Sequence, residues 1–289
     1  MPTVIIGHDM PAELAADVSE ALEGMGVVVK ANGVSPQPRQ SKVIVVVSPK
    51  GGSGKTSVSS NLAVALAQRH PGKVVAVDLD VQFGDLGTAL SLTPEHTMAQ
   101  LARTSQIDAT MVKLFLTPYE HDLYVLAGAN DPVDADSITH AHVSAVIPLL
   151  AQNFDYVVVD TPAGLDERTL AAIECATDLL LVSSLDVTSI RSLRKELDAL
   201  DLMTVKAART LVLNRADAKV GLNPSDAEEA LGMPITCSVS SSRELPLALN
   251  LGIPVVINEP KSSAAKQLQE LALHFAPVEA EKARKGWRR

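Results

Sequence analysis

Residues 43–57 of the chain read VIVVVSPKGGSGKTS, and this stretch decides the fold. Its first five residues are apolar and β-branched, which is typical of a strand buried on both faces of a parallel sheet. A glycine-rich loop follows, and a helical pattern comes next over residues 60–68. A strand, a glycine-rich loop, Gly-Lys-Thr and a helix in this order predict a P-loop that binds nucleotide phosphates.

The residue types of the loop suit phosphate chemistry. Glycines let backbone N–H groups approach phosphate oxygens, and the following helix directs the positive end of its dipole at the same anion. Lys55 is expected to neutralise the β- and γ-phosphates, and the Thr56 hydroxyl to bind Mg²⁺. Pro49 stands where the general pattern begins with glycine, so the loop entrance must differ from the general form. Lys50 is either a solvated charge or an arm that reaches another site.

The rest of the chain repeats the alternation of strand and helix. Helical patterns cover residues 137–150 and 190–202. Apolar runs occur at residues 74–77, 123–126, 156–159, 179–182, 210–213 and 235–239. This alternation predicts an α/β fold in which a doubly wound, mostly parallel sheet carries helices on both faces.

Composition narrows the class of protein. Hydrophobic residues make up 46% of the 289 residues, which excludes wholesale disorder, and aromatic residues only 3%, so the core must be aliphatic. The net charge of −9 argues against a protein wrapped along nucleic acid. The two cysteines, Cys175 and Cys237, allow no disulfide framework, zinc site or iron–sulfur site, which indicates a reducing, cytosolic compartment. No signal peptide or run of ~20 apolar residues appears, so membrane association would be peripheral or through a partner.

Three segments are predicted along the chain. Residues 1–41 form a short N-terminal βαβ appendage, with strands at 4–6 and 27–29, and end in a proline-containing linker. Residues 42–276 form the P-loop domain, and its last helix packs an apolar face on the core. Residues 277–289 form a basic tail, which can contact anionic lipid or DNA. We favour the other interpretation, in which this tail is disordered and only increases solubility.

Polar side chains follow three of the predicted strands. Asp78 and Asp80 end the second strand of the domain and project to the same side, where they can orient water or hold the water shell of magnesium. Asp160 ends a hydrophobic strand in the Walker B form and is expected to bind Mg²⁺ through water. Asn214 ends another strand, and its amide suits the edge of adenine. The alternatives are aspartates that cap a turn and an ordinary turn asparagine.

The loop KGGSGKT at residues 50–56 resembles that of the deviant Walker A ATPases, the MinD/ParA group, over residues 42–276. The resemblance implies ATP or ADP with Mg²⁺, and an ATP-dependent homodimer in which Lys50 contacts phosphate on the partner subunit. It implies catalytic roles for Lys50, Lys55 and Asp80. The implied nucleotide-binding residues are Lys50, Gly51, Gly52, Ser53, Gly54, Lys55, Thr56, Ser57 and Asn214. The implied metal-binding residues are Thr56, Asp78, Asp80 and Asp160. The family usually continues its Walker B strand with Pro-Pro-Gly, whereas this chain has Pro-Ala-Gly at 162–164.

Within that group, SPKGGSGKT at 48–56 and VDLDVQFGDL at 77–86 resemble the CpaE/TadZ-like proteins of pilus assembly. Those proteins often carry a receiver-like N-terminal domain, so residues 1–41 would be a truncated remnant of it. The resemblance implies a slow, switch-type Mg²⁺-dependent ATPase that positions pilus or secretion machinery. We expect it in the cytoplasm, recruited to a cell pole or the inner membrane by a protein of that machinery. The alternatives are a ParA/MinD-like partitioning or septum-positioning ATPase and a non-hydrolysing ATP-binding scaffold.

Overall fold

The structure is a computed structural model that describes residues 3–6, 28–31, 41–81, 84–129, 131–217 and 221–277. The chain divides into two compact units, residues 1–40 and 41–289. In the first unit, β1 (Thr3–Ile6) and β2 (Val28–Ala31) pair in parallel. The helix predicted between these strands, most of the linker and the basic tail lie outside the described residues. The three predicted segments therefore stay a prediction.

The second unit alternates strands and helices along the chain. Its strands are β3 (Lys42–Val47), β4 (Val74–Asp78), β5 (Thr117–Tyr119), β6 (Leu123–Leu126), β7 (Tyr156–Asp160), β8 (Asp178–Ser184), β9 (Ala208–Asn214) and β10 (Ile235–Val239). The helices up to β8 are α1 (Lys55–Ala67), α2 (Leu86–Ala89), α3 (Met98–Ala102), α4 (Ala109–Leu114), α5 (Pro132–Ala135), α6 (His140–Ala151) and α7 (Glu167–Glu174). After β8 come α8 (Val187–Leu202), α9 (Pro224–Leu231), α10 (Glu244–Leu251), α11 (Val255–Asn258) and α12 (Ser263–Phe275).

Within the described part of this unit, the strands form one eight-stranded sheet in the order β10-β9-β8-β3-β7-β4-β6-β5. Every pairing is parallel except that of β5 with β6. The loop that carries the Gly-Lys-Thr sequence therefore leaves the carboxyl end of a central strand, β3. The predicted doubly wound, mostly parallel sheet is confirmed.

Two apolar layers, one on each face of the sheet, hold the helices. Along β3, Val43, Val45 and Val47 belong to one layer, and Ile44 and Val46 to the other. Helices α6 and α8 contribute to the first layer, and α1 and α12 to the second. A strand covered on both faces has no solvent side, which explains why its sequence is continuously apolar rather than alternating.

The last helix, α12, packs into the core as predicted. Its apolar residues Leu268, Leu271 and Phe275 are at most 1% exposed, so this face is not free to enter a membrane. Among the helices that the structure describes, none combines the length and apolar character needed to cross a bilayer.

Two elements differ from the prediction. Helix α1 begins at Lys55 rather than at residue 60. Its first six residues include one apolar residue, Val58, and the hydroxyls of Ser59 and Ser60 donate to carbonyls of the preceding turn. The apolar pattern becomes visible only beyond those turns. Strand β5 was not predicted, since it has three residues with Pro118 at its centre and lies at the sheet edge, where proline is tolerated.

Candidate functional site

The loop between β3 and α1 has the backbone of an anion-binding turn. Gly52 and Gly54 have φ angles of +74° and +96°, a region that suits glycine and strains other residues. Gly54 is the N-cap of α1 and makes no side-chain cap, so the first N–H groups of the helix are available to an anion. The loop can therefore bind phosphate through its backbone.

Asn214, at the end of β9, is tied to this loop. Its Nδ2 donates to the Ser53 carbonyl at 2.8 Å, and its Oδ1 accepts from the Arg215 N–H at 2.9 Å. A Cβ atom on Gly54 would lie 2.3 Å from the Asn214 Nδ2. These contacts fix the orientation of the amide and exclude any side chain at residue 54 without a shift of Asn214.

Thr56 and Asp160 form the oxygen-rich floor of the site. The Thr56 hydroxyl donates to Asp160 Oδ2 at 2.7 Å, while Asp160 Oδ1 is buried without a hydrogen-bond partner. Burial raises the pKa of Asp160 to about 6, although the hydrogen bond from Thr56 and the charge of Lys55 oppose the rise. An unpartnered buried carboxylate oxygen beside a hydroxyl suits a hard cation such as Mg²⁺.

Asp78 and Asp80 add two carboxylates at the end of β4. Asp78 pairs in register with Asp160 of β7 and accepts a hydrogen bond from the Asp80 N–H at 3.0 Å. Burial, followed by the charges of Asp160 and Asp80, raises the pKa of Asp78 well above its usual range. Close packing supports this arrangement, because a Cβ on Gly84 would lie 2.5 Å from Asp78 Oδ2. A bound cation would oppose this rise in pKa and favour the ionised carboxylates.

Among the described residues, no group of three or more His, Cys, Asp and Glu side chains is arranged to hold a metal ion by itself. Magnesium usually keeps several waters and shares its coordination with substrate phosphates, so it needs few protein ligands. Thr56 and Asp160 are placed to hold such an ion, and Asp78 and Asp80 to hold its waters.

The two lysines of the loop have different surroundings. Lys55 is 7% exposed. The Lys50 side chain lies at the surface, where its Nζ donates to Thr188 Oγ1 at 2.6 Å. Thr188 in turn donates to Asp186, the N-cap of α8, at 2.6 Å. Burial alone would raise the pKa of Asp186, but hydrogen bonds from Ser189 and Thr188 and the charge of Lys50 lower it to about 2. The two lysines therefore lie in different environments.

A cleft of about 480 Å³ opens over the loop. The predicted residues that line it are Gly51, Gly52, Gly54, Lys55, Thr56, Ser57, Asp80 and Asn214. Asp78 and Asp160 are buried, with 4% and 0% exposure, and Ser53 is also buried. The structure thus gathers the predicted residues at the carboxyl ends of β3, β4, β7 and β9, with Lys50 directed to α8. Their roles stay predictions.

The AAA domain family AAA_31 matches residues 41–212, which is more than half of the chain. The chain belongs to this AAA domain family. Among its relatives, the septum site-determining protein MinD of Thermotoga maritima is 28% identical over 240 residues, which cover 80% of this chain and 86% of that protein. MinD of Synechocystis sp. is 27% identical over 239 residues, covering 80% and 88%.

Solved structures of ParA and MinD proteins are similar to this AAA domain. The ParA family ATPase from Chlorobium tepidum TLS has a TM-score of 0.76 and 26% identity, and the match covers 82% of this chain and 99% of that one. MinD from Pyrococcus horikoshii OT3, complexed with Mg-ADP, has a TM-score of 0.74 and 26% identity, covering 84% and 99%. This AAA domain is therefore a P-loop protein of the MinD/ParA type. These matches do not show the predicted closeness to CpaE/TadZ-like proteins.

Most of the residues that line the cleft near Asn214 were not predicted from the sequence. We call the part of the cleft around Asn214 the base end, because Asn214 is predicted to contact adenine. It is also lined by Arg215, Ser240, Ser241, Ser242, Leu245, Pro246 and Leu249. Ser240 and Ser241 are held by Gln267 and Asp217, whose side-chain oxygens accept from their backbone N–H groups at 3.0 and 2.6 Å. The signal was present, because this segment directly follows a predicted strand, β10, at the edge of the sheet where ligands bind.

Two carboxylates of this AAA domain were also missed. Asp85 lines the cleft beside Asp80 and follows a strand end by seven residues, too far for the strand-end argument to reach it. Glu196 is buried in α8, and the amphipathic pattern of that helix gave no reason to single it out.

Proposed function

We propose that this chain is a Mg²⁺-dependent ATPase that works as a nucleotide-controlled switch. One observation carries the proposal. A loop with glycines at positive φ and the Thr56–Asp160 hydrogen bond lie beneath the same cleft. Phosphate-binding N–H groups, a site for a hard cation and a separate base end then surround the same cleft. The Mg-ADP complex of the related MinD from Pyrococcus horikoshii supports ATP or ADP with Mg²⁺ as the ligand.

The residues in and beneath the cleft have different roles in hydrolysis. Loop N–H groups and the Lys55 ammonium bind the phosphate oxygens and stabilise charge that develops on them. Magnesium, when bound by Thr56 and Asp160, supplies further charge neutralisation. Asp80 lines the cleft, where its carboxylate can orient a water molecule for in-line attack on the γ-phosphate.

Lys50 is the residue that we assign to dimerisation. Its amine lies at the surface and its hydrogen bond to Thr188 is exposed, so little free energy is lost when it leaves. In the ATP-bound dimer, Lys50 contacts phosphate on the partner subunit. Hydrolysis removes that phosphate and releases the dimer, which makes the nucleotide state a positional signal.

The cellular role that we propose is ParA/MinD-like positioning of a partition complex or a septum, in the cytoplasm. The names of the relatives, septum site-determining MinD and ParA family ATPase, support this role above pilus assembly. Positioning of pilus or secretion machinery at a pole or at the inner membrane is the second candidate. It is favoured by the resemblance of VDLDVQFGDL at residues 77–86 to CpaE/TadZ-like proteins.

Light scattering tests the switch. With Mg·ATP the wild-type chain should shift from monomer to dimer, and with Mg·ADP it should stay a monomer. Lys50→Ala should bind Mg·ADP normally and fail to dimerise with Mg·ATP. Lys261→Ala, an exposed lysine outside the cleft, is the control and should dimerise normally. A normal ATP-dependent dimer of Lys50→Ala would refute the role given to this lysine.

A further inference from the structure

A short run of serines forms part of the base end without regular secondary structure. Residues 240–242 join β10 to α10 in neither helix nor strand, and all of them line the cleft. A segment outside helices and strands keeps one position mainly where other groups bind its backbone. The groups that bind this segment therefore determine where the base end lies.

Gln267 of α12 binds the segment with both polar atoms of its amide. Its Oε1 accepts from the Ser240 N–H at 3.0 Å, and its Nε2 donates to the Ser240 Oγ at 3.1 Å. The backbone carbonyl of Gln267 also accepts from the Sγ of Cys237, a residue of β10, at 3.4 Å. Helix α12 is thus joined both to β10 and to the residue that follows it.

Helix α12 is a firm support for this amide. Its apolar residues Leu268, Leu271 and Phe275 are at most 1% exposed, so the helix is fixed in the core. The helix packs on both β10 and α1. Since α1 begins at the glycine loop and β10 leads into the base end, one helix contacts the elements that carry both ends of the cleft.

The glycine loop is tied to the same group of helices. Asn61, on α1, is 3% exposed, and its Oδ1 accepts from the Val256 N–H of α11 at 3.1 Å. Its Nδ2 donates to the carbonyl of Ser57, which lines the cleft, at 2.7 Å. Helix α11 in turn packs on α12. The helices α11 and α12 therefore bind the first turn of α1 through Asn61 and the base end through Gln267.

We propose that Gln267 is a positioning residue, which holds the base end of the cleft in a fixed place relative to the glycine loop by binding Ser240. The inference rests on the proposed nucleotide site. The described residues that line the cleft do not include Gln267, so it acts through the serine segment rather than by contact with the nucleotide.

This anchor matters only for a ligand that has a base as well as phosphates. Without the Gln267 amide, the segment loses its hydrogen bonds to α12 and must be ordered each time a base binds against it. The free energy of that ordering is subtracted from the affinity. A ligand made of phosphates alone binds at the glycine loop and does not use the segment, so its affinity should not change.

Calorimetry with Mg·ADP and with magnesium pyrophosphate tests the proposal. Gln267→Met removes both side-chain hydrogen bonds and keeps a long, unbranched side chain that suits a helix. This variant should bind Mg·ADP about fivefold to tenfold more weakly than wild type, which is the loss expected for one or two hydrogen bonds. Its affinity for pyrophosphate should stay within about twofold of wild type.

Other variants separate the hydrogen bonds from packing. Gln267→Glu keeps the oxygen that accepts from the Ser240 N–H, and its second oxygen can accept from the Ser240 hydroxyl, so Mg·ADP affinity should stay within about twofold of wild type. Ser240→Ala keeps the backbone hydrogen bond and should lose about twofold to threefold. Gln269 lies on the same helix but in a separate groove lined by α1 and α12, so Gln269→Met is the control and should match wild type.

The results distinguish this proposal from the proposed function. An equal loss of affinity for Mg·ADP and for pyrophosphate in Gln267→Met would show a general structural role and would overturn the proposal. Wild-type affinity of Gln267→Met for Mg·ADP would also overturn it, and so would a Gln267→Glu variant that is as weak as Gln267→Met. These outcomes leave the nucleotide site standing. Failure of the folded wild-type chain to bind either ligand would overturn the proposed function as well.

Discussion

The two ends of the cleft are built in different ways. The phosphate end comes mostly from one contiguous segment, residues 50–57, and uses backbone N–H groups in left-handed turns. The base end combines the last residue of β9 with the segment after β10, and uses side chains and apolar contacts. Phosphate binding demands special backbone geometry and therefore leaves a readable motif. A base can be held by many side-chain combinations, so its site is dispersed along the sequence.

The largest expected effect belongs to the phosphate end. Lys55→Ala removes the ammonium that binds phosphate in a largely buried position, so Mg·ADP affinity should fall at least about a hundredfold. Isothermal titration calorimetry measures it, with the exposed Lys113→Ala as the control. Retention of wild-type affinity would show that the phosphates do not bind at this loop.

The next effect concerns the junction between the two ends. Gly54→Ala places a Cβ at a φ of +96° and 2.3 Å from the Asn214 Nδ2, so Mg·ADP affinity should fall at least about tenfold. Gly87→Ala, which has open space around it, should leave affinity unchanged.

The double variant Gly54→Ala/Asn214→Ala sharpens this test. Since removal of the amide relieves the clash, the double variant should bind Mg·ADP no more weakly than Gly54→Ala alone. Strict additivity of the two losses in calorimetry would mean that the ends act independently.

A smaller effect is expected at the base end. Leu249→Ala removes apolar contact with the base and should weaken Mg·ADP by about threefold to tenfold. Pyrophosphate, which has no base, should bind wild type and Leu249→Ala with equal affinity. Leu247→Ala, exposed and outside the cleft, is the matched control. An equal loss of affinity for Mg·ADP and for pyrophosphate would show that Leu249 does not act through the base and would contradict the distinction between the two ends.

The smallest effect concerns Lys50 in the single chain. Thr188→Val removes the oxygen that accepts from Lys50 and should strengthen ATP-dependent dimerisation by about twofold to threefold, since an exposed contact contributes little. Thr188→Ser keeps the hydroxyl and should match wild type in light scattering. A weaker dimer in Thr188→Val would indicate that Thr188 itself contacts the partner subunit.

Much of the fold could be predicted because buried parallel strands are continuously apolar. The predicted runs at 123–126 and 235–239 coincide with β6 and β10. The start of α1 was placed five residues too late, because residues 55–60 contain one apolar residue, Val58, and therefore show no apolar periodicity. Strand β5 could not be predicted, because it has only three residues and a proline at its centre.

The site was predictable where a residue type follows directly from its place at a strand end, as for Asp78, Asp80, Asp160 and Asn214. Residues such as Asp85 and Glu196 could not be found in this way. Asp85 follows the end of β4 by seven residues, and Glu196 is buried within the amphipathic helix α8.

Release of phosphate from Mg·ATP by purified wild type and Asp80→Asn tests the central claim most directly. The account predicts slow release by wild type, and at least about a hundredfold less by a variant that still binds Mg·ATP, because the carboxylate that orients water is lost. Wild-type turnover in Asp80→Asn would contradict the account, and so would a wild-type chain that binds Mg·ATP without hydrolysing it, as a scaffold would.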